Sequence, residues 1–170
     1  LPTNHGFKIV SKLAPQKQNI FTVDDLNDWD SSFKRTLGRL RTNMIDGLLI
    51  HNSSDLRKPG HEYLEDWLTS LRDKRLVKRV GVSIYESSDL EGIRLDLLDL
   101  VQLPLSLYDQ RLLVDGTIRK LREQGCAVHA RSIYLQGLIV NSSNYWPNWV
   151  KPSIRNHHFM LERFSRDRGC

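Results

Sequence analysis

Five short β-type runs recur along the 170 residues with helical patterns between them: "FKIVSKL" (7–13), "IDGLLIH" (45–51), "RVGVSIY" (79–85), "DLVQLPL" (99–105) and "AVHARSI" (127–133). Strands alternating with helices predict βα units, a parallel sheet and right-handed crossovers. Each run also carries a polar residue near its C-terminal end: Lys12, His51, Ser83, Gln102 and Arg131. Two architectures meet this pattern. A five-stranded doubly wound sheet has a usual length close to that of this chain. A (β/α)8 barrel at the same spacing needs roughly 240 residues, so the chain would then supply about five of its eight units. In both, ligands bind at the C-terminal edge of the sheet, where these polar ends converge.

The helical segments are read from apolar spacing and caps. "SSFKRTLGRLR" is predicted to start at a serine cap, with Phe33, Leu37 and Leu40 on one face. "HEYLEDWLTSLRDK" places Tyr63, Leu64, Trp67, Leu68 and Leu71 on one stripe. "SSDLEGI" reads as a short capped helix, "GTIRKLREQG" ends at Gly125 as a left-handed stop, and a helix is expected after Pro152.

Composition narrows the class. With 39% apolar and 26% charged residues, the chain is long enough to bury one core as a single domain over 1–170. No apolar stretch approaches the roughly 20 residues of a membrane span, and "LPTNHGFKIV" lacks the layout of a signal peptide. Two cysteines, Cys126 and Cys170, are too few for a disulfide framework, which makes a reducing cytoplasm the expected compartment. The net charge of +5 permits an anionic partner. The basic residues, among them Lys34, Arg35, Arg39, Arg72, Arg75 and Arg79, are spread along helical faces without interleaved aromatics. That reads as solvated surface and speaks against nucleic acid.

Several chemistries have no motif to carry them. Neither GxGxxG nor GxxxxGK[ST] follows the first run, where "APQKQNIF" stands instead, and GxSxG is missing. No His, Asp or Glu pair has metal-ligand spacing; His157 and His158 are adjacent, and no metal is expected. His129 reads as a core histidine or as a residue at mid-barrel depth.

"FKIVSKL", "TLGRLRTNMIDGLLIHNSSDL", "LRDKRLVKRVGVSIYESSDLEGI", "LDLVQLPLSLYDQRL" and "VHARSIYLQGLI" resemble, in this order, the middle of an aldo-keto reductase, over roughly residues 7–140. The wording is most similar to bacterial members associated with surface-polysaccharide or sugar metabolism. The resemblance implies a partial (β/α)8 TIM barrel spanning the third to seventh strands, incomplete at both ends. It also implies NADPH as cofactor and reduction of a small-molecule aldehyde or ketone, such as a sugar carbonyl.

By the same resemblance Lys12 and His51 match the family's catalytic lysine and histidine, while its Asp and Tyr lie upstream of Leu1. Ser83 and Gln102 match residues that hold the nicotinamide carboxamide, though Ile84 replaces the asparagine that usually follows the serine. Arg131 stands where many members stack a tyrosine on the nicotinamide, and Ser132 and Gly137 stand where the pyrophosphate is approached. Tyr85, Tyr108 and Tyr134 are not expected to replace the missing tyrosine. The isolated chain is expected to be inactive. The alternatives are a non-catalytic five-stranded β/α module and, last, a nucleic-acid binder acting through the basic helices.

Overall fold

The computed structural model describes residues 6–169; Cys170 and the first five residues lie outside the described residues. The strands are β1 (Val10–Leu13), β2 (Ile45–Ile50), β3 (Val77–Ser83), β4 (Leu100–Pro104) and β5 (Ala127–Arg131). All neighbours pair in parallel, and their order in space is their order in the chain. A doubly wound sheet must reverse its strand order part-way, and this one does not. Right-handed crossovers that always step the same way place every helix on one face. The sheet is therefore part of a barrel wall, and the doubly wound alternative is excluded.

The outer face holds the core. Leu48, Ile50, Val80, Val82, Val101 and Leu103 pack under α1 (Asp25–Leu40), α2 (His61–Asp73), α3 (Arg111–Val114) and α4 (Thr117–Glu123). Aromatic rings join the first two helices, with Trp29 5.8 Å and Phe33 6.2 Å from Trp67 between centroids. The indole N–H of Trp67 is not stranded in this packing, because it donates to Asp30 at 2.8 Å. The last helix, α5 (Pro152–Asp167), starts with proline in its first turn, as the sequence predicts.

The inner face is built differently. Lys12, Leu49, Gly81, Leu100 and Ala127 are register partners across the five strands, so their side chains share that face. Two glycines let it curl. A Cβ on Gly81 would run into the carbonyl of Leu100, and one on Gly47 would lie 3.2 Å from side-chain atoms of both Leu100 and Val10. Gly125, with φ +78, ends α4 as the sequence predicts.

Local expectations differ from the structure in three places. The first helix begins at Asp25 rather than at a serine cap, because the Asp25 carboxylate accepts the Thr22 N–H at 2.8 Å and starts the turn there. That start also brings Trp29 onto the buried stripe, one turn before Phe33. Tyr63 does not join the buried stripe of α2 but is 44% exposed at its edge. "SSDLEGI" forms only a 3-10 turn over Ser87–Leu90, and its cap is the reciprocal pair Glu86 and Asp89 rather than a serine. Among the described residues no helix is long and apolar enough to cross a membrane.

Candidate active site at the C-terminal strand edge

β1 ends in "SKL", which turns Leu13 outward into the core and leaves Lys12 on the inner face. The Lys12 ammonium donates to Ser83 Oγ at 3.2 Å, reaching over β2 to the end of β3. Burial holds the Lys12 pKa below its usual value, and the nearby Arg131 charge adds to this. Leu49 on β2 and His51, the first residue past its end, are two residues apart and so lie on the same side. The His51 N–H donates to the carbonyl of Leu13 at 3.2 Å, extending the pairing by one residue. Its side chain is exposed and lines a cleft of about 200 Å³ with Ser83, Tyr85, Asn52, Ser53 and Asp89. Lys12 and His51 thus stand on one edge and one side of the sheet, with Ser83 bonded to the first and lining the cleft beside the second.

Ser83 and Gln102 are register partners at the ends of β3 and β4, and His129 follows in the same row on β5. His129 is half-buried there, facing inward rather than sitting in the helix-covered core. Arg131 lies two residues beyond His129, at the end of β5 and opposite Pro104. Its guanidinium carbon sits 4.0 Å above the ring centroid of Tyr85, and Nη2 donates to the Ile84 carbonyl at 3.3 Å. Ile84 itself is fully buried in the outer-face core, so its side chain is not at the mouth.

The rim around these residues is cross-tied. Asp55, 1% exposed, accepts the Gln16 N–H at 3.0 Å and lies 2.6 Å from the Lys58 ammonium, joining the loops after β1 and β2. Ser53 donates to Asp89 at 3.2 Å, and Arg57 donates to the carbonyls of Asp89 and Glu91, joining the loops after β2 and β3. Burial works against the charge on Asp89, but the N–H groups of Tyr85 and Glu86, at 2.7 and 3.0 Å, hold its pKa below the usual carboxylate value. These ties fix the loops that carry His51 and Tyr85.

Ser132 and Gly137 lie further round. Both have left-handed backbones, with φ +60 and φ +93, in the irregular segment after β5. Ser132 does not open on the Lys12 cleft. It faces a larger cavity of about 680 Å³ walled by Tyr108, Leu135, Trp146, Trp149 and Ile154. One wall carries a polar chain that sequence reasoning missed: the Tyr108 hydroxyl is 2.9 Å from His158 Nδ1, and His158 Nε2 is 3.6 Å from Glu162. His158 is buried and stacks on Trp146 at 4.4 Å. Burial, and then the Glu162 charge, push the Tyr108 pKa up. Its only signal in the sequence is the i, i+4 spacing of His158 and Glu162, which does not point to Tyr108. Tyr85, which lines the Lys12 cleft, was also not singled out, although its position two residues beyond Ser83 is a signal that could have placed it on the same side.

Comparison with known proteins gives the context. No family model and no curated protein matches the chain. Solved structures do. An aldo/keto reductase from Klebsiella pneumoniae in complex with NADP and acetate superposes with a TM-score of 0.65 at 16% identity, over 95% of this chain and 51% of that one. The chain has the aldo-keto reductase fold. A glycerol dehydrogenase from Gluconobacter oxydans gives 0.66 at 17% identity, over 95% of this chain and 56% of that one. An aldo-keto reductase from Bacillus halodurans gives 0.57 at 17%, over 76% and 41%. The chain thus spans about half the length of the aldo-keto reductase structures it matches. Its five strands form one contiguous arc of that barrel wall.

Proposed function

We propose that the whole protein is a cytoplasmic, NADPH-dependent reductase of an aldehyde or ketone, with a sugar carbonyl as a candidate substrate. The observation that carries this reading is the Lys12–Ser83 contact of 3.2 Å, with His51 lining the same cleft as Ser83. NADPH, when bound, supplies the hydride. Reduction leaves negative charge on the former carbonyl oxygen, which needs a proton and fixed donors around it. His51 is the orienting donor at the cleft. Lys12 supplies positive charge that favours ionisation of a neighbouring tyrosine hydroxyl. That tyrosine and its aspartate partner belong to the resembled family and lie outside these residues.

The residues fit the cofactor in part. Ser83 and Gln102, side by side on the inner face, suit the carboxamide of a nicotinamide. Ile84, turned into the outer core, does not suit the contact an asparagine would make. Arg131, engaged with Tyr85, occupies the place of the usual stacking tyrosine. Ser132 and Gly137 are the proposed pyrophosphate contacts.

NADPH oxidation by the full-length protein over a panel of aldehydes, ketones and sugars tests the reading. Turnover of at least one carbonyl is expected, with a loss of about 10²-fold or more on Lys12→Ala. The 170-residue chain alone is expected to give none. Turnover indifferent to Lys12→Ala, or turnover by the isolated chain that Lys12→Ala abolishes, overturns the assignment of roles.

A further inference from the structure

We propose that the cavity of about 680 Å³ after β5 is a ligand site of its own, taking a neutral, planar aromatic molecule with a polar group on its edge. This goes beyond the reductase reading and does not rest on it. The cavity shares no lining residue with the cleft of His51 and Ser83, and its volume is that of a small-molecule site.

Its walls are aromatic and held in place. Trp146, 5% exposed, donates its indole N–H to the carbonyls of Leu138 and Asn141 at 2.8 and 3.2 Å. Its ring lies 4.4 Å from His158 between centroids, and Tyr108 meets it edge-on at 6.3 Å. The Tyr108 hydroxyl is engaged by His158. The segment carrying Trp146 and Trp149 is tied to α5. Ser143 N–H donates to Glu162 at 3.0 Å, and Arg155 donates to the carbonyls of Ser143 and Val150, each at 3.3 Å. A ligand therefore finds the site already ordered, which lowers the entropy lost on binding.

Trp149 is the exception. It is 77% exposed at the cavity, and among the described residues its ring has no aromatic partner and its indole N–H no acceptor. A large aromatic face left in water beside a preformed apolar cavity gains from a flat ring laid against it. Gln136, Ser153 and His157 also line the cavity, and among the described residues their side chains make no hydrogen bond. They suit a polar group on the rim of that ring. The lining holds no carboxylate, ammonium or guanidinium. An ionic group brought here would lose water without gaining a counter-ion, so the ligand is neutral. The same reasoning sets a pyrophosphate aside; Ser132 is the one residue this site shares with the proposed cofactor contacts.

The test is a titration of the nitrogen-15-labelled 170-residue chain with 2-naphthol at pH 8, above the ordinary imidazole pKa. Saturable shifts are expected at the Trp149 indole N–H, the Gln136 side-chain amide and the Ile154 amide. Decahydro-2-naphthol, saturated and no longer flat, and 2-naphthoate, which is charged, should each bind at least about 5-fold more weakly. Trp149→Ala should weaken 2-naphthol at least about 10-fold, read at Gln136 and Ile154, while Trp149→Phe stays within about 3-fold. Tyr145→Ala, exposed and outside the cavity, should change nothing. Absence of saturable shifts, or their persistence in Trp149→Ala, overturns the proposal. Equal or tighter binding of the saturated alcohol overturns the aromatic class, and that of the acid overturns the neutral one. Displacement of 2-naphthol by NADP gives the cavity to the cofactor, and the same shifts on raising protein concentration alone give it to a second copy; either outcome overturns the proposal. Because no hydride transfer is read, failure here leaves the reductase reading standing, and failure of that reading leaves this one.

Discussion

Lys12 sits in an environment that its type does not prefer. Folding takes its ammonium out of water and sets it near another cation, so between its depressed pKa and the ordinary 10.5 the folded chain binds fewer protons than the unfolded one. Stability therefore rises with pH through that window, and below it a standing penalty remains. Lys12→Met should raise the urea midpoint at pH 7 by more than it does at pH 10; equal changes at the two values would refute the desolvation account. Cys126 makes the opposite kind of case. It is 5% exposed, and burial, with the Asp99 charge second, pushes its thiol to about 11. Iodoacetamide at pH 8 should leave Cys126 unmodified in the folded chain, with peptide mass spectrometry as the readout. Lys12 and His51 were legible because a polar residue ending an apolar strand is visible in one segment. The Arg131–Tyr85 stack was not, since it depends on how closely β3 and β5 approach in space.

At the scale of elements, the curl of the wall depends on two inner-facing glycines of unequal consequence. At Gly81 an added Cβ meets backbone, which cannot move without breaking the β3–β4 register, whereas at Gly47 it meets flexible side chains. Gly81→Ala is expected to cost about 2 kcal/mol or more, and Gly47→Ala less than about 1.5 kcal/mol, in urea unfolding. Comparable costs would show that the curl is not set at Gly81. On the outer face, Trp67→Ala should cost about 3–5 kcal/mol, because it empties the contact of α2 with Trp29 and Phe33 and leaves Asp30 without its donor. Strand placement was readable because apolar runs between turn signals are local. Helix starts were less so: "SS" at 31–32 looks like a cap, yet the helix already begins six residues earlier at Asp25, whose buried carboxylate ties back to the Thr22 N–H.

For the molecule as a whole, the unclosed wall is the dominant fact. Among the described residues β1 pairs only with β2, and β5 only with β4, so each sheet edge presents unpaired backbone groups. On α5, Phe159, Met160 and Phe164 are 48%, 68% and 57% exposed. Open edges beside apolar surface favour association. The isolated chain should show a concentration-dependent mass by light scattering; a monomer at all concentrations with a single cooperative unfolding transition would contradict this.

The sequence by itself determined the alternation of strand and helix and the five strand-end polar residues, because each of these is a pattern within one segment. Only the tertiary structure decided between a doubly wound sheet and a barrel wall, since both use the same segments and differ in the direction of each crossover. It likewise decided that Lys12 reaches Ser83, that Arg131 rests on Tyr85, and that Ser132 faces a separate cavity. Those contacts depend on how strands distant in the chain are curled together, and no local spacing encodes that.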